Sequence, residues 1–231
     1  MKPLHIWSSL ITAGLILSGC NSDNNDAPVQ SMQSYKVTVK NLTFAQPMSP
    51  MAVSYHKEST TLFMVGSMAT VGLEYLAEGG DNSSLLSELS SNDMVVASIG
   101  GNGLILPGQS DSVTVEGEVV KCISIATMLV NTNDAFTGRN CIDVTSLAVG
   151  ETLMTGMPSY DAGTEANSEE ASTIPGPAGG GEGFNTLRDD RDFVSIHSGA
   201  VTKDDGLTTS VLSQDHKWSH PTASVIIERI K

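Results

Sequence analysis

Residues 35–44, YKVTVKNLTF, decide how this chain reads. Tyr35, Val37 and Val39 alternate with Lys36, Thr38 and Lys40, so one side of an extended segment is apolar and the other polar or charged. A period of two is the pattern of a strand with one face buried and one in water. It returns further along. SVTVEGEVVKCISIATML (112–129) carries Val113, Val115 and Val119, then Ile123 and Ile125, with Gly117 predicting a turn or bulge between them. RDFVSIHSGAV (191–201) alternates Phe193, Ser195 and His197 against Val194 and Ile196. ASVIIERIK (223–231) is β-branched and follows Pro221, which keeps a central strand from starting earlier. GNGLILPGQSDSV (101–113) reads as a turn between strands.

One helical region interrupts the strands. SMATVGLEYLAEGG (67–80) places Met68, Val71, Tyr75 and Leu76 near one face and stops at Gly79-Gly80. NSSLLSELSS (82–91) predicts a short second helix capped by Asn82 or Ser83. Many strands with a small helical insertion predict an all-β fold over residues 35–231, an antiparallel β-sandwich with long loops.

The start of the chain carries a different message. In MKPLHIWSSLITAGLILSGC (1–20), Lys2 precedes an apolar run, Ile6 to Leu17, that is short for a membrane span, and the small residues Ser18 and Gly19 follow. This is the layout of an export signal over residues 1–19. LSGC (17–20) resembles the bacterial lipobox, which implies cleavage before Cys20 and its acylation; the other reading is an ordinary signal peptide with an incidental cysteine. Asn21 rather than Asp after that cysteine favours the outer membrane, as in Gram-negative lipoproteins generally. Residues 20–34, rich in Asn, Asp and Ser, read as a tether between lipid and domain. The full chain has a formal net charge of −14, and loss of residues 1–19 takes away one further positive charge, Lys2. Such a balance excludes nucleic acid as a partner and argues against docking by charge to anionic lipid. Acyl chains would do the anchoring.

Export also decides the cysteines. Cys122 and Cys141 are the two beyond Cys20, and in an oxidising compartment they read as one disulfide rather than two buried thiols. The bridge closes a loop of about 20 residues, worth roughly 3 kcal/mol in a chain-entropy account. Inside that loop lies NTNDAFTGRN (131–140).

From residue 156 to 191 the chain gives almost no secondary-structure signal, and a stretch of that length is usually functional or disordered. It opens with YDAGTE (160–165), in which Gly163 permits a tight turn between Asp161 and Glu165. Hard cations such as calcium take six to eight oxygens, largely carboxylates and carbonyls from loops. With Asp134 from the NTND segment, Asp161 and Glu165 make a candidate three-acid cation site; the plainer reading is a solvated acidic loop.

YDAGTE resembles the Tyr-Asp-Ala-Gly-Thr-acid motif of the spondin N-terminal domain, found in F-spondin, in mindin and in many bacterial exported proteins. Further similarities run in order: YKVTVKNLTFAQPMSP (35–50), LAEGGD (76–81), NDAFTGRN (133–140), IPGP (174–177) and HPTASVIIERI (220–230). Together they cover nearly all of 35–231. The resemblance implies a sandwich of the synaptotagmin type, related to calcium-dependent membrane-binding domains, with Ca2+ held between loops by Asp134, Asp161 and Glu165. The chain departs from the animal motif at Ala135, where that motif has Trp, and at Glu165, where it has Asp.

No enzyme motif stands out. His216 and His220 have a zinc-like spacing, but Trp218, Ser219 and Pro221 disfavour the helix it needs. His197 reads as a satisfied structural histidine. Neither a G-x-S-x-G elbow nor a phosphate loop is present. Two function classes follow. One is a non-catalytic adhesion or ligand-binding module at the cell surface, its calcium stiffening the loops that meet an extracellular or periplasmic protein or glycan. The other is a calcium-dependent hydrolase or glycan-active envelope enzyme, with a purely structural envelope protein as a third possibility.

Overall fold

A computed structural model describes residues 31–231; the export signal and Cys20 lie outside the described residues. The chain forms two antiparallel sheets. In chain order the strands are β1 (Met32–Asn41), β2 (Ala52–His56), β3 (Val95–Gly100), β4 (Ser110–Glu118), β5 (Cys122–Met128), β6 (Ala135–Asp143), β7 (Thr152–Met157), β8 (Ser159–Asp161), β9 (Ser195–Ile196) and β10 (Ala223–Arg229). One sheet has the order β4-β1-β10-β7, the other β3-β2-β5-β6-β8-β9. The all-β sandwich read from the sequence is therefore the fold.

The core lies between the sheets. Tyr35, Val37 and Val39 of β1, the alternating set of the opening motif, are fully buried there with Val113, Val115, Val225 and Ile227. They face Val53, Tyr55, Ile123 and Ile125 of the six-stranded sheet. The outer face of that sheet is also covered. Helices α1 (Val71–Gly79) and α2 (Ser83–Ser90) set Leu73, Leu76, Ala77, Leu85 and Leu89 against Ala52, Ala126 and Phe136. With both faces closed, β2 and β5 are buried along their whole lengths and lose the polar alternation of a one-sided strand.

Several expectations need correction. The first helix starts at Val71, not 67, with Thr70 as its cap, accepting the Leu73 N–H. Its inward face is Leu73, Leu76 and Ala77, while Met68 and Val71 are exposed. Gly80 does end it, in the left-handed conformation. Asn82 sits at the N-terminus of α2 but makes no cap; its amide instead donates to the Pro50 and Met51 carbonyls. Gly117 makes neither turn nor bulge. It pairs with Gln33 inside β4, and a Cβ there would stand 2.1 Å from Val96 Cγ1, so glycine is needed for close approach to β3. The strand expected over 191–201 shrinks to Ser195–Ile196. β1 begins at Met32, within the stretch read as tether.

Cys122 and Cys141 form the expected disulfide, with Cα atoms 4.4 Å apart. It ties β5 to β6 at the end of the pair away from the 129–134 loop. Ser124 of β5 lies at a register shift opposite Asn140 and Cys141, and its hydroxyl accepts the Cys141 N–H at 2.8 Å.

Candidate functional site

The loop joining β5 to β6 is polar and buried. Asn131, Thr132, Asn133 and Asp134 are each no more than 2% exposed. A buried polar loop must have its hydrogen bonds supplied, and here the long 162–192 segment supplies them. Thr132 Oγ1 donates to the Leu129 carbonyl and accepts the Ala135 N–H, closing the turn on itself. Asn131 accepts from the Ala178 N–H and donates to the Ala45 carbonyl. Asn133 accepts the Glu169 N–H and donates to Thr173 Oγ1 at 2.8 Å. Asp134 Oδ2 accepts from the Thr164 N–H at 2.8 Å and the Glu165 N–H at 3.1 Å. The NTND tetrad is thus the frame on which the motif-bearing loop is laid.

YDAGTE folds tightly. Tyr160 pairs with Phe136 and Asp161 with Ala135, bringing the chain alongside Asp134. Asp161 Oδ1 accepts the Gly163 N–H at 2.7 Å, and its Oδ2 accepts from the Asn167 amide at 2.7 Å. Gly163 has φ +73°, which favours glycine. A Cβ there would fall 2.3 Å from the Phe193 carbonyl oxygen.

The three predicted acids come to one end of the sandwich, all at most 9% exposed. Asp134 Oδ1 and Glu165 Oε2 are buried with no hydrogen-bond partner. Burial pushes the Asp134 carboxyl up to about 8, with the Asp161 charge adding to this more than the Glu165 charge does. Burial also raises Glu165 to about 7, partly offset by the Asn133 amide and reinforced by Glu78. Asp161 differs: both its oxygens accept hydrogen bonds within its own loop. Among the described residues no three His, Cys, Asp or Glu side chains converge as a metal centre. The donor set nonetheless fits a hard cation at two of the three acids, where free oxygens are available; Asp161 has only its remaining lone pairs to offer.

Glu78, missed in the sequence, belongs with them. It is fully buried on the last turn of α1, its Oε1 has no partner, and its Oε2 accepts the Asn185 N–H at 2.8 Å. Burial raises its carboxyl, and its charge is the largest acting on Glu165. The signal lay in the sequence as a glutamate on the apolar side of a helix, where an unpaired carboxylate is costly. The same helix latches the loop. Phe184 stacks on Tyr75 with ring centroids 3.7 Å apart, and the Arg188 guanidinium holds Glu74 through two hydrogen bonds.

On the other side of Asp161 a cavity of about 260 Å3 is lined by Asp161, Asn167, Glu169, Arg191 and His197, among others. Glu169 is 1% exposed and stands at φ +56°; its Oε1 accepts the Val201 N–H, while Oε2 is unpaired. Burial raises its carboxyl to about 7. His197 is not the satisfied structural histidine expected. Its Nδ1 accepts the Gly199 N–H at 3.0 Å, but Nε2 is buried without a partner. His56 is satisfied, by Ser124 Oγ and the Lys57 carbonyl.

No protein-family model matches the chain, and a search of curated proteins finds no significant relative.

Proposed function

We propose that this protein is an exported, lipid-anchored surface protein whose spondin-like sandwich binds calcium at its loop end and acts as a non-catalytic adhesion or ligand-binding module, on the outer membrane. One observation carries the cation reading: Asp134 Oδ1 and Glu165 Oε2 are buried without partners where Asp134 accepts the Thr164 and Glu165 N–H groups, and Glu78, whose charge acts on Glu165, keeps Oε1 buried and unpaired as well. Buried carboxylates without partners are costly, and a divalent ion offsets that cost. The chain would hold the ion with Asp134, Glu165 and Glu78, with Asp161 beside them. The ion would supply positive charge that lets these acids ionise and fixes the 131–134 loop to the 161–165 loop. The resemblance to the spondin domain, together with the lipobox-like LSGC, supports the adhesion and anchoring parts of the reading.

Thermal melting in calcium and in chelator tests it. At a calcium concentration one hundred times its Kd, an ion that binds only the folded state adds about 2.7 kcal/mol. That is a rise of roughly 5–10 °C for a domain of this size. Equal melting temperatures in calcium and chelator would remove the cation from the reading.

The second reading, a calcium-dependent hydrolase or glycan-active enzyme, is favoured by Glu169 and His197 sharing a cavity. A carboxyl raised by burial is what a general acid requires. Turnover of a glycan or ester substrate that disappears in Glu169→Gln would select it over the binding module.

A further inference from the structure

The cavity beyond Asp161 carries both signs of charge, and two of its lining side chains, Glu169 and His197, each keep a buried polar atom without a partner. Arg191 makes no hydrogen bond or ion pair with another described residue and is exposed, so it stands on the solvent side. Glu169 and His197 are buried and form the inner side. Because His197 Nδ1 accepts an N–H, a neutral ring carries its proton on Nε2. Nε2 is then a donor and not a metal ligand. It asks for an acceptor, and Glu169 Oε2 asks for a donor. Two larger hollows, one beside Cys141 and one between Met68 and Phe184, are lined by none of the unpaired buried atoms.

We propose that this cavity binds a small zwitterion, an α-amino acid, with its carboxylate on Arg191 and His197 and its ammonium on Glu169 and Asp161. A guanidinium takes a carboxylate through two parallel hydrogen bonds. The His197 Nε2–H adds a third donor, and Glu169 Oε2 accepts from the ammonium. A simple anion would meet two carboxylates, and a simple cation would meet Arg191; a molecule bearing both charges satisfies every group. The volume, below the usual range for drug-sized ligands, suits one small molecule rather than a chain. This deepens the ligand-binding part of the function proposed above and does not depend on the calcium ion.

Equilibrium dialysis of the purified full chain against labelled glycine, with chelator present, tests it. Glycine carries the two groups that every α-amino acid shares. One saturable site is expected, weakened at least tenfold in Arg191→Gln and in Glu169→Gln, whose melting temperatures should match the parent. Tenfold excesses of acetate or methylamine should fail to displace glycine. Absence of saturable binding, equal affinity in the variants, or displacement by either single-charge compound overturns the proposal. Should Glu169→Gln fail to fold, the exposed Arg191→Gln decides alone. Since calcium is chelated throughout, this outcome is separate from that of the calcium melt.

Discussion

Asp134 and Glu165 meet side chain to backbone: Asp134 Oδ2 accepts the Glu165 N–H at 3.1 Å, while each residue keeps one carboxylate oxygen buried and unpaired. Oδ2 also takes the Thr164 N–H, so one oxygen positions the loop and the other remains for a cation. The two roles separate by substitution. Asn at 134 keeps an acceptor for both N–H groups and resembles the protonated acid, the form that a carboxyl raised to about 8 holds at neutral pH. Asp134→Asn should therefore melt in chelator at or above the parent temperature and lose the calcium response. Asp134→Ala should melt lower in both conditions, because each orphaned N–H costs about 1–3 kcal/mol. An Asn variant that keeps its calcium shift would take Asp134 out of the site.

The raised carboxyls make stability depend on pH with a definite sign. Asp134 stands at about 8, and Glu165 and Glu169 at about 7, all above their unfolded values. Between the unfolded and folded values the native chain holds more protons than the unfolded one, so stability falls as pH rises. His56 and His197, both lowered by burial, act in the opposite sense at and below their unfolded value near 6.5. From pH 7 to 8.5 the histidines are largely deprotonated in both states, so the acids dominate this window. Urea unfolding in chelator should lose stability across it, at up to about 1.4 kcal/mol per pH unit for each group releasing its proton. In calcium the loss should shrink, since the ion favours the ionised forms. A chelator profile that stays level or climbs contradicts the buried acids.

These groups explain what the sequence disclosed and what it hid. β1, β4, β5 and β10 were legible because each places β-branched or aromatic residues toward the inter-sheet core at every second position. β2, as AVSYH, and β6, as AFTGRNCID, carry small and polar residues where the sheet meets the helices or bends at Cys141. Their signal lies in a surface that only the folded chain creates. Asp134, Asp161 and Glu165 were legible as acids near turns. Glu78 was not, because its meaning depends on Asn185 and Glu165 arriving from more than eighty residues away. Asn131 and Asn133 likewise take their meaning from residues distant in the chain, accepting the Ala178 and Glu169 N–H groups.

Arg188 is the latch of the long loop. It bonds Glu74, which is 4% exposed, along with Asp192 and the Ala69 carbonyl. Breaking a buried pair from one side leaves an uncompensated charge and costs about 3–5 kcal/mol. Arg188→Leu should destabilise by this order in urea unfolding, and amide exchange should quicken across 182–192. Arg188→Leu combined with Glu74→Leu should recover part of the loss. A double variant as weak as the single one would mean that the pair matters through packing alone.

The disulfide is a separate support. Reduction, or Cys122→Ala with Cys141→Ala, should cost about 3 kcal/mol by the loop-entropy account. The calcium shift should persist, because the bridge closes the β5–β6 pair at the end away from Asp134. Loss of the shift upon reduction would show that the 131–134 loop depends on the bridge for its shape.

Gly163 offers the sharpest test of the YDAGTE turn. Two obstacles face alanine there: φ +73°, and a Cβ that would lie 2.3 Å from the Phe193 carbonyl oxygen and 2.8 Å from its nitrogen. Gly150, at φ +86° with nothing within 4 Å of a built Cβ, carries only the first. Gly150→Ala therefore measures conformational strain, about 1–2 kcal/mol. Gly163→Ala adds displacement of the 191–194 backbone. That movement would carry Asp161 and the Asp134 contacts with it, since the Asp192 N–H donates to the Gly163 carbonyl at 2.7 Å. Unfolding measured side by side should show Gly163→Ala the more destabilised, with its calcium response weakened, and Gly150→Ala with its response intact. Equal losses, both with full calcium shifts, would mean that the turn yields without disturbing the acids it joins.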